Sequence, residues 1–206
     1  MTEFDLLKKA LALPKPGLAV QQRMSPYPRP PHPAHTEFEH SCVKAGVLVL
    51  LYERQGTTFL PLIRRTDTVV HHRSQIGFPG GQIEAGENAA QAALRETWEE
   101  LGLGREKIDL IGELTPLYVP PSNFCIYPAV GRLAGVPAFR PDPAEVAAVI
   151  EVPLDEIADP ATRREERWTI RGESLMVPFY AFGSLKIWGA TAMILAEFLE
   201  IVRPPG

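Results

Sequence analysis

Four glutamates crowd the stretch from Glu87 to Glu100, and three of them, Glu96, Glu99 and Glu100, fall within five residues. Residues three and four apart on a helix are neighbours on one face. On a helix, Glu96, Glu99 and Glu100 would therefore project as one patch of negative charge. Alone, such a patch destabilises through like-charge repulsion. It becomes favourable when a hard divalent cation binds, because Mg2+ takes carboxylate oxygens together with waters. A cation held there lowers the pKa of a bound water and supplies a nucleophile at neutral pH. The competing reading is an ordinary solvated helix face.

The spacing around the glutamates bears on that choice. Gly81 is followed by five residues and Glu87; seven residues later come Arg95-Glu96, Thr97, Trp98, Glu99-Glu100, Leu101, Gly102 and Leu103. This pattern resembles the Nudix box, and a match at so many fixed positions is a specific signal. Only Thr97 departs, standing where an aliphatic residue is commonest, which predicts a packing change rather than lost chemistry. The resemblance implies an enzyme, a hydrolase that cuts a diphosphate linkage with Mg2+ or Mn2+. It implies Glu99 and Glu100 as core metal ligands, Glu96 as a further ligand or the base that activates water, and the Gly81 carbonyl as part of the metal shell. Glu87 and Arg95 are implied to pair and hold the loop against the helix, which Gly102 closes. Gly80 and Gly81 allow close backbone approach.

Substrate choice must come from outside the box. Leu62-Ile63-Arg64-Arg65-Thr66 and His72-Arg73-Ser74-Gln75-Ile76-Gly77-Phe78-Pro79-Gly80-Gly81 are similar to the additional signature of the coenzyme A pyrophosphatase branch of the Nudix family. Ser74 departs from it, standing where a glycine is expected. Tyr127–Gly131, Pro141–Val146 with Val152-Pro153-Leu154, and Ile187–Ala192 resemble further segments of that branch. Coenzyme A, or an acyl-coenzyme A, is the substrate this implies. Arg64 and Arg65 are candidates to grip phosphate oxygens, with surface charge as the alternative. His72 is a candidate phosphate ligand or proton donor, or else a polar loop residue. Glu145, in a proline-rich loop entering a strand, is a candidate catalytic base beside Glu96 and Glu100, or a solvent-facing acid. Trp188 reads as a packing residue rather than a base-stacking one.

Positioning these groups requires a framework. Asn88 to Leu101 reads as the clearest helix, with Asn88 as N-cap, alanines inside and Gly102 at its end. Ala45–Tyr52 reads as a buried strand and Thr58–Arg64 as its partner across an Arg54-Gln55-Gly56 turn. Residues 66–77 read as a loop, and Phe78–Gly81 as a turn into a short strand. Later strand-like runs are Ile108–Leu114, Tyr118-Val119, Cys125–Leu133, Glu145–Val152, Trp168–Arg171 and Leu175–Phe182, before a helix over Trp188–Val202. Glu3–Leu13 reads as a short amphipathic helix, and Pro14–His35 as an extended, proline-rich segment wrapping the surface. The fold class is α/β (α+β): the resemblance implies an α/β/α sandwich with a mixed central sheet and a catalytic loop-helix-loop. Residues 1–40 form a leader packed on the domain, and residues 41–206 the hydrolase domain.

With 206 residues, 45% of them hydrophobic, the chain suits one domain with short extensions. A net charge of -4 without a basic block argues against a nucleic-acid partner. No run is long enough to span a bilayer, and the N-terminus lacks the apolar core of a signal peptide. Two cysteines, Cys42 and Cys125, make neither a disulfide scaffold nor a zinc spacing, which fits a reducing cytoplasm. The partner is then a small-molecule diphosphate, and the resemblance allows a homodimer. Two alternatives stay open: hydrolysis of ADP-ribose, a nucleoside diphosphate sugar or another nucleotide, and a Nudix-fold binding module without catalysis.

Overall fold

The computed structural model describes residues 3–28, 33–66 and 75–202. Its centre is β1 (Val43–Arg54), apolar without interruption from Gly46 to Tyr52 because both faces are covered. Side chains alternate across a strand. Leu48, Leu50 and Tyr52 join one buried cluster with Ala93 and Leu101, while Val49 and Leu51 join another with Met193, Leu195 and Phe198. Helix α3 (Ala89–Leu101) therefore covers one face and α5 (Gly189–Val202) the other. On the α5 side, Phe4, Leu7 and Leu11 of α1 (Glu3–Leu11) enter the same cluster.

β1 runs parallel to β7 (Phe124–Leu133) and antiparallel to β2 (Thr57–Arg65), which it meets through Gln55 and Gly56, both with positive φ. Strand order is β3-β2-β1-β7-β5, where β3 is Ile76–Gly77 and β5 is Ile108–Glu113. Three further strands complete the eight: β4 (Gly80–Gln82) pairs with β1, β6 (Leu117–Val119) with β7, and β8 (Val146–Pro153) with β2. The parallel β1–β7 pair among antiparallel ones makes the sheet mixed. A separate three-stranded sheet holds β10 (Glu173–Phe182) between β9 (Arg163–Ile170) and β11 (Leu185–Trp188).

The structure corrects four expectations. The proline-rich segment is not simply extended: α2 (Leu18–Gln21) continues into a 3-10 turn at Gln22–Met24, with Val20, Gln21 and Met24 buried. No proline falls between Pro16 and Pro26, so nothing there forbids a helix. Ile76–Gly77 is a strand rather than loop, paired with Ile63 and Arg64. The last helix starts at Gly189, because Trp188 ends β11 and Gly189 has φ 62°. Finally, Cys42 and Cys125 are joined in a disulfide, their Cα atoms 5.7 Å apart. The register that sets Val43 opposite Phe124 brings together cysteines separated by 83 residues. Two free thiols therefore no longer speak for a reducing compartment. Among the described residues no helix is long and apolar enough to cross a membrane.

Candidate active site

The carboxylate-bearing helix is fixed at both ends. The Asn88 side chain accepts the Gln91 N–H at 2.9 Å, and the Gln91 side chain accepts the Asn88 N–H at 2.9 Å, a reciprocal cap. At the other end Gly102, with φ 69°, donates its N–H to the Trp98 carbonyl at 2.8 Å. A glycine in β1 sets how closely the helix sits. A Cβ on Gly46 would lie 2.0 Å from the Ala89 carbonyl oxygen, so only glycine lets the helix start rest on the strand. Thr97 is fully buried, and its hydroxyl donates to the Ala93 carbonyl at 2.7 Å. The hydroxyl is thereby satisfied inside the helix, and the site's carboxylates are untouched.

β4 brings the glycine loop under this helix. Gly80 and Gly81 pair with Val47 and Gly46. Gly80 has φ 152°, and a Cβ there would meet the Gly46 oxygen at 2.4 Å. A Cβ on Gly81 would lie 2.3 Å from the Glu96 carboxylate, so that carboxylate rests directly against the Gly81 backbone.

Glu100 has no solvent exposure. Its Oε2 accepts the Gly80 N–H at 2.9 Å. Arg65 Nη2 stands 2.9 Å from Oε1 and donates to the Gly80 carbonyl at 2.7 Å. Oε1 accepts no hydrogen bond, so Arg65 gives it a charge contact without an aligned N–H. Burial dominates and pushes the Glu100 carboxyl up to about 7; Arg65 and the Gly80 amide oppose this, while the Glu96 and Glu145 charges add to it. A register shift aims Arg65 inward. Arg64 pairs with Ala148 but Arg65 with Val146, and such an irregularity re-aims a side chain.

Around Arg95 the arrangement is different. Its Nε and Nη2 reach the two Glu87 oxygens at 2.8 and 3.2 Å, Nη1 reaches Glu96 at 2.8 Å and Glu99 at 2.9 Å, and Nη2 donates to the Gln82 carbonyl at 3.0 Å. The forked guanidinium thus ties loop to helix. It holds the Glu87 carboxyl below its ordinary value. Burial raises Glu96 instead, against the pull of Arg95.

The predicted residues are therefore split. Glu87, Arg95, Glu96 and Glu99 form one network, and Glu100, Arg65 and Gly80 another, with Gly81 between. Glu145 is exposed just before β8. Its carbonyl accepts the Thr66 N–H, and the loop before it is strapped to the end of α3 by Asp142 N–H to the Glu100 carbonyl and Arg140 N–H to the Leu101 carbonyl. Arg64 is exposed on β2. Predicted His72 and the departure at Ser74 lie outside the described residues. Sequence reasoning missed Gly46, the Gly80 amide and the full burial of Glu100. A lone glycine inside a strand pattern was the available signal for the first.

A divalent cation fits this donor set. Carboxylate oxygens suit a hard cation, and the buried Oε1 of Glu100 lacks a hydrogen-bond donor. Among the described residues no three such side chains already converge on one point, since Glu99 is turned toward Arg95.

Comparison with known proteins follows the same lines. The model of the NUDIX domain matches residues 43–171. A protein described as an uncharacterized Nudix hydrolase NudL, from Photorhabdus laumondii, is 33% identical over 160 residues, covering 77% of this chain and 84% of its own. Nudix hydrolase 22, chloroplastic, from Arabidopsis thaliana is 33% identical over 172 residues, 79% of this chain but only 57% of that longer one. Among solved structures, a C. elegans Ap4A hydrolase binary complex is similar with a TM-score of 0.47 at 21% identity, over 55% of this chain and 82% of that one.

Proposed function

The chain belongs to the Nudix family of hydrolases, and from that premise we propose that it cleaves the diphosphate of coenzyme A or an acyl-coenzyme A. The products are phosphopantetheine, or its acyl form, and adenosine 3',5'-bisphosphate. The observation that carries the reaction class is the fully buried Glu100, with an oxygen that accepts no hydrogen bond, set against the glycine loop beside Glu96. The substrate rests on the stretch from Leu62 to Gly81 that leads into that loop.

In this reading Glu99, Glu100 and the Gly81 carbonyl, with Glu96 as a further ligand where it is not the base, would hold Mg2+ or Mn2+, which would neutralise diphosphate charge and acidify a water. The chain's own residues supply the rest. Glu96, its carboxyl raised by burial, takes the proton as the water oxygen attacks phosphorus and the bond to the bridging oxygen breaks; Glu145 is the second candidate for that proton. Arg95 and Glu87 position Glu96 and Glu99. Arg64, exposed at the end of β2, and His72 are assigned to substrate phosphates. Arg65 commits its Nη2 to Glu100 and Gly80, and its remaining N–H groups keep it a candidate for the same phosphates. Gly102 fixes the end of the helix.

Residues 1–40 are taken as a leader on the hydrolase domain of residues 41–206, the family resemblance supports a homodimer, and the Cys42–Cys125 bridge removes the ground on which a cytoplasmic setting was expected. The substrate is a small molecule, with no nucleic acid or membrane involved. The test is a panel of coenzyme A, acetyl-coenzyme A, ADP-ribose, NADH and a deoxynucleoside triphosphate with excess Mg2+, products resolved by chromatography. Dominant release of adenosine 3',5'-bisphosphate is expected. Preference for ADP-ribose or another nucleotide would replace the substrate and keep the chemistry. No turnover with Mg2+ or Mn2+ would leave a binding module.

A further inference from the structure

A cleft of about 210 Å3 lies where four segments meet: the 3-10 turn after α2, the turn following α4 (Leu154–Ile157), the β9–β10 sheet and α5. No residue of the carboxylate site lines it. Its floor is apolar, with Val20, Met24 and Leu199. Tyr180, only 7% exposed, also lines it. Among the described residues the Tyr180 hydroxyl makes no hydrogen bond, and it is not one of the fully buried unpaired atoms, so it meets the water of the cleft. Burial pushes its phenol up to about 12, so at neutral pH it remains a neutral donor.

The charged groups at the cleft are unequally committed. Arg23 is paired with Glu200 at 3.2 Å, and Asp159 accepts the Ala161 N–H at 2.8 Å to cap a 3-10 turn. Arg163 spends one N–H on the Arg23 carbonyl at 3.2 Å, and a guanidinium has five. Arg163 is exposed, so water takes its remaining N–H groups beside Tyr180, and an anion is the ligand that would replace that water with charge-assisted bonds. Two arginines and two carboxylates leave the cleft without net charge, which favours a singly charged anion over phosphate. The volume lies below the roughly 300 Å3 at which drug-sized sites begin.

We propose that this cleft binds a small organic monocarboxylate with an apolar body, its carboxylate between Arg163 and Tyr180 and its body on Val20, Met24 and Leu199. Because the cleft joins the leader to α5 and the second sheet, an occupant bridges all three, and by mass action it stabilises the folded chain.

The test titrates benzoate and hexanoate into the full chain, following thermal denaturation and calorimetric binding, with benzamide and hexanol as neutral counterparts. Both acids are expected to bind saturably and raise Tm, and the neutral molecules are not. Arg163→Gln, at an exposed position, should weaken benzoate at least about ten-fold, the range of a charge-assisted hydrogen bond. Tyr180→Phe should weaken it about two- to ten-fold, the range of a neutral one. Both variants should keep wild-type kcat and KM for diphosphate hydrolysis, so the cleft and the hydrolase reading stand or fall separately. Equal effects of benzoate and benzamide, undiminished binding in Arg163→Gln, or no saturation by about 10 mM would each overturn the proposal.

Discussion

Two glutamates, Glu100 and Glu197, have no solvent exposure, and they sit on helices that cover opposite faces of the sheet. Glu197 is fully engaged by neutral donors. Its Oε1 accepts the Gly17 N–H at 3.1 Å and the Thr115 hydroxyl at 2.6 Å, and its Oε2 accepts the Gln21 amide at 2.8 Å and the Thr115 N–H at 3.1 Å. These four bonds tie the leader and the turn after β5 to α5. Glu100 has one hydrogen bond, from Gly80, and a charge contact from Arg65. A buried carboxylate with every lone pair claimed is an anchor; one with an oxygen left over stays open to a ligand. Desolvation is costly for both; four hydrogen bonds offset it at Glu197, whereas at Glu100 the Gly80 amide and Arg65 offset it only in part.

The largest expected effect tests the open carboxylate. Glu100→Gln should lower kcat/KM with Mg2+ about 1,000-fold, on the order of 4 kcal/mol, while the metal-free variant melts no lower than wild type. A loss of stability with activity intact would reverse the roles assigned to the two residues.

Next is the anchor. Glu197→Leu strands four donors, of which the Gln21 amide is buried and the Gly17 and Thr115 groups are part-buried, so each loss falls toward the low end of about 1–3 kcal/mol. Tm should fall by about 10 °C, since each kcal/mol is worth about 2–4 °C at this size, with kcat/KM unchanged at temperatures where the variant is folded.

A pH titration separates the two further. Glu100 is raised from 4.5 to about 7 in the folded chain, so between those values the folded state holds a proton that the unfolded state has released. Stability of the metal-free protein should therefore fall as pH rises from 4.5 to 7, by at most about 3 kcal/mol. Denaturant melts should show this slope in wild type and a shallower one in Glu100→Gln, where only the raised Glu96 remains. Saturating Mg2+ should flatten it, because the cation takes the proton's place.

The smallest effect concerns the guanidinium beside the site. Arg95→Lys keeps the charge but loses the fork that spans Glu87, Glu96 and Glu99. A decrease in kcat/KM of about ten-fold, ~1.4 kcal/mol, is expected, with KM for Mg2+ rising more than KM for substrate. An unchanged metal dependence would show that Arg95 positions nothing.

The sequence by itself determined the helix and its contents. Asn88, the alanines and Gly102 specify where it starts and stops through local backbone chemistry, and the fixed spacing of Gly81, Glu87, Arg95 and the three later glutamates identified the family. The β1 run was legible because a strand covered on both faces needs no polar alternation. Most other strands were visible as apolar runs, but β9 begins with Arg163-Arg164-Glu165-Glu166-Arg167, and an exposed edge leaves no apolar period to read. Only the tertiary structure decided which glutamate is buried. Helical spacing puts Glu96, Glu99 and Glu100 on neighbouring positions, yet Glu99 faces Arg95 while Glu100 sinks beneath Gly80. That difference depends on β4, on the Gly46 contact and on the register shift at Arg65, all made by segments distant in sequence. The Cys42–Cys125 bridge and the Glu197 anchor have the same origin. Spacing fixes neighbours along one helix; burial and pairing across it depend on what the rest of the chain lays on top.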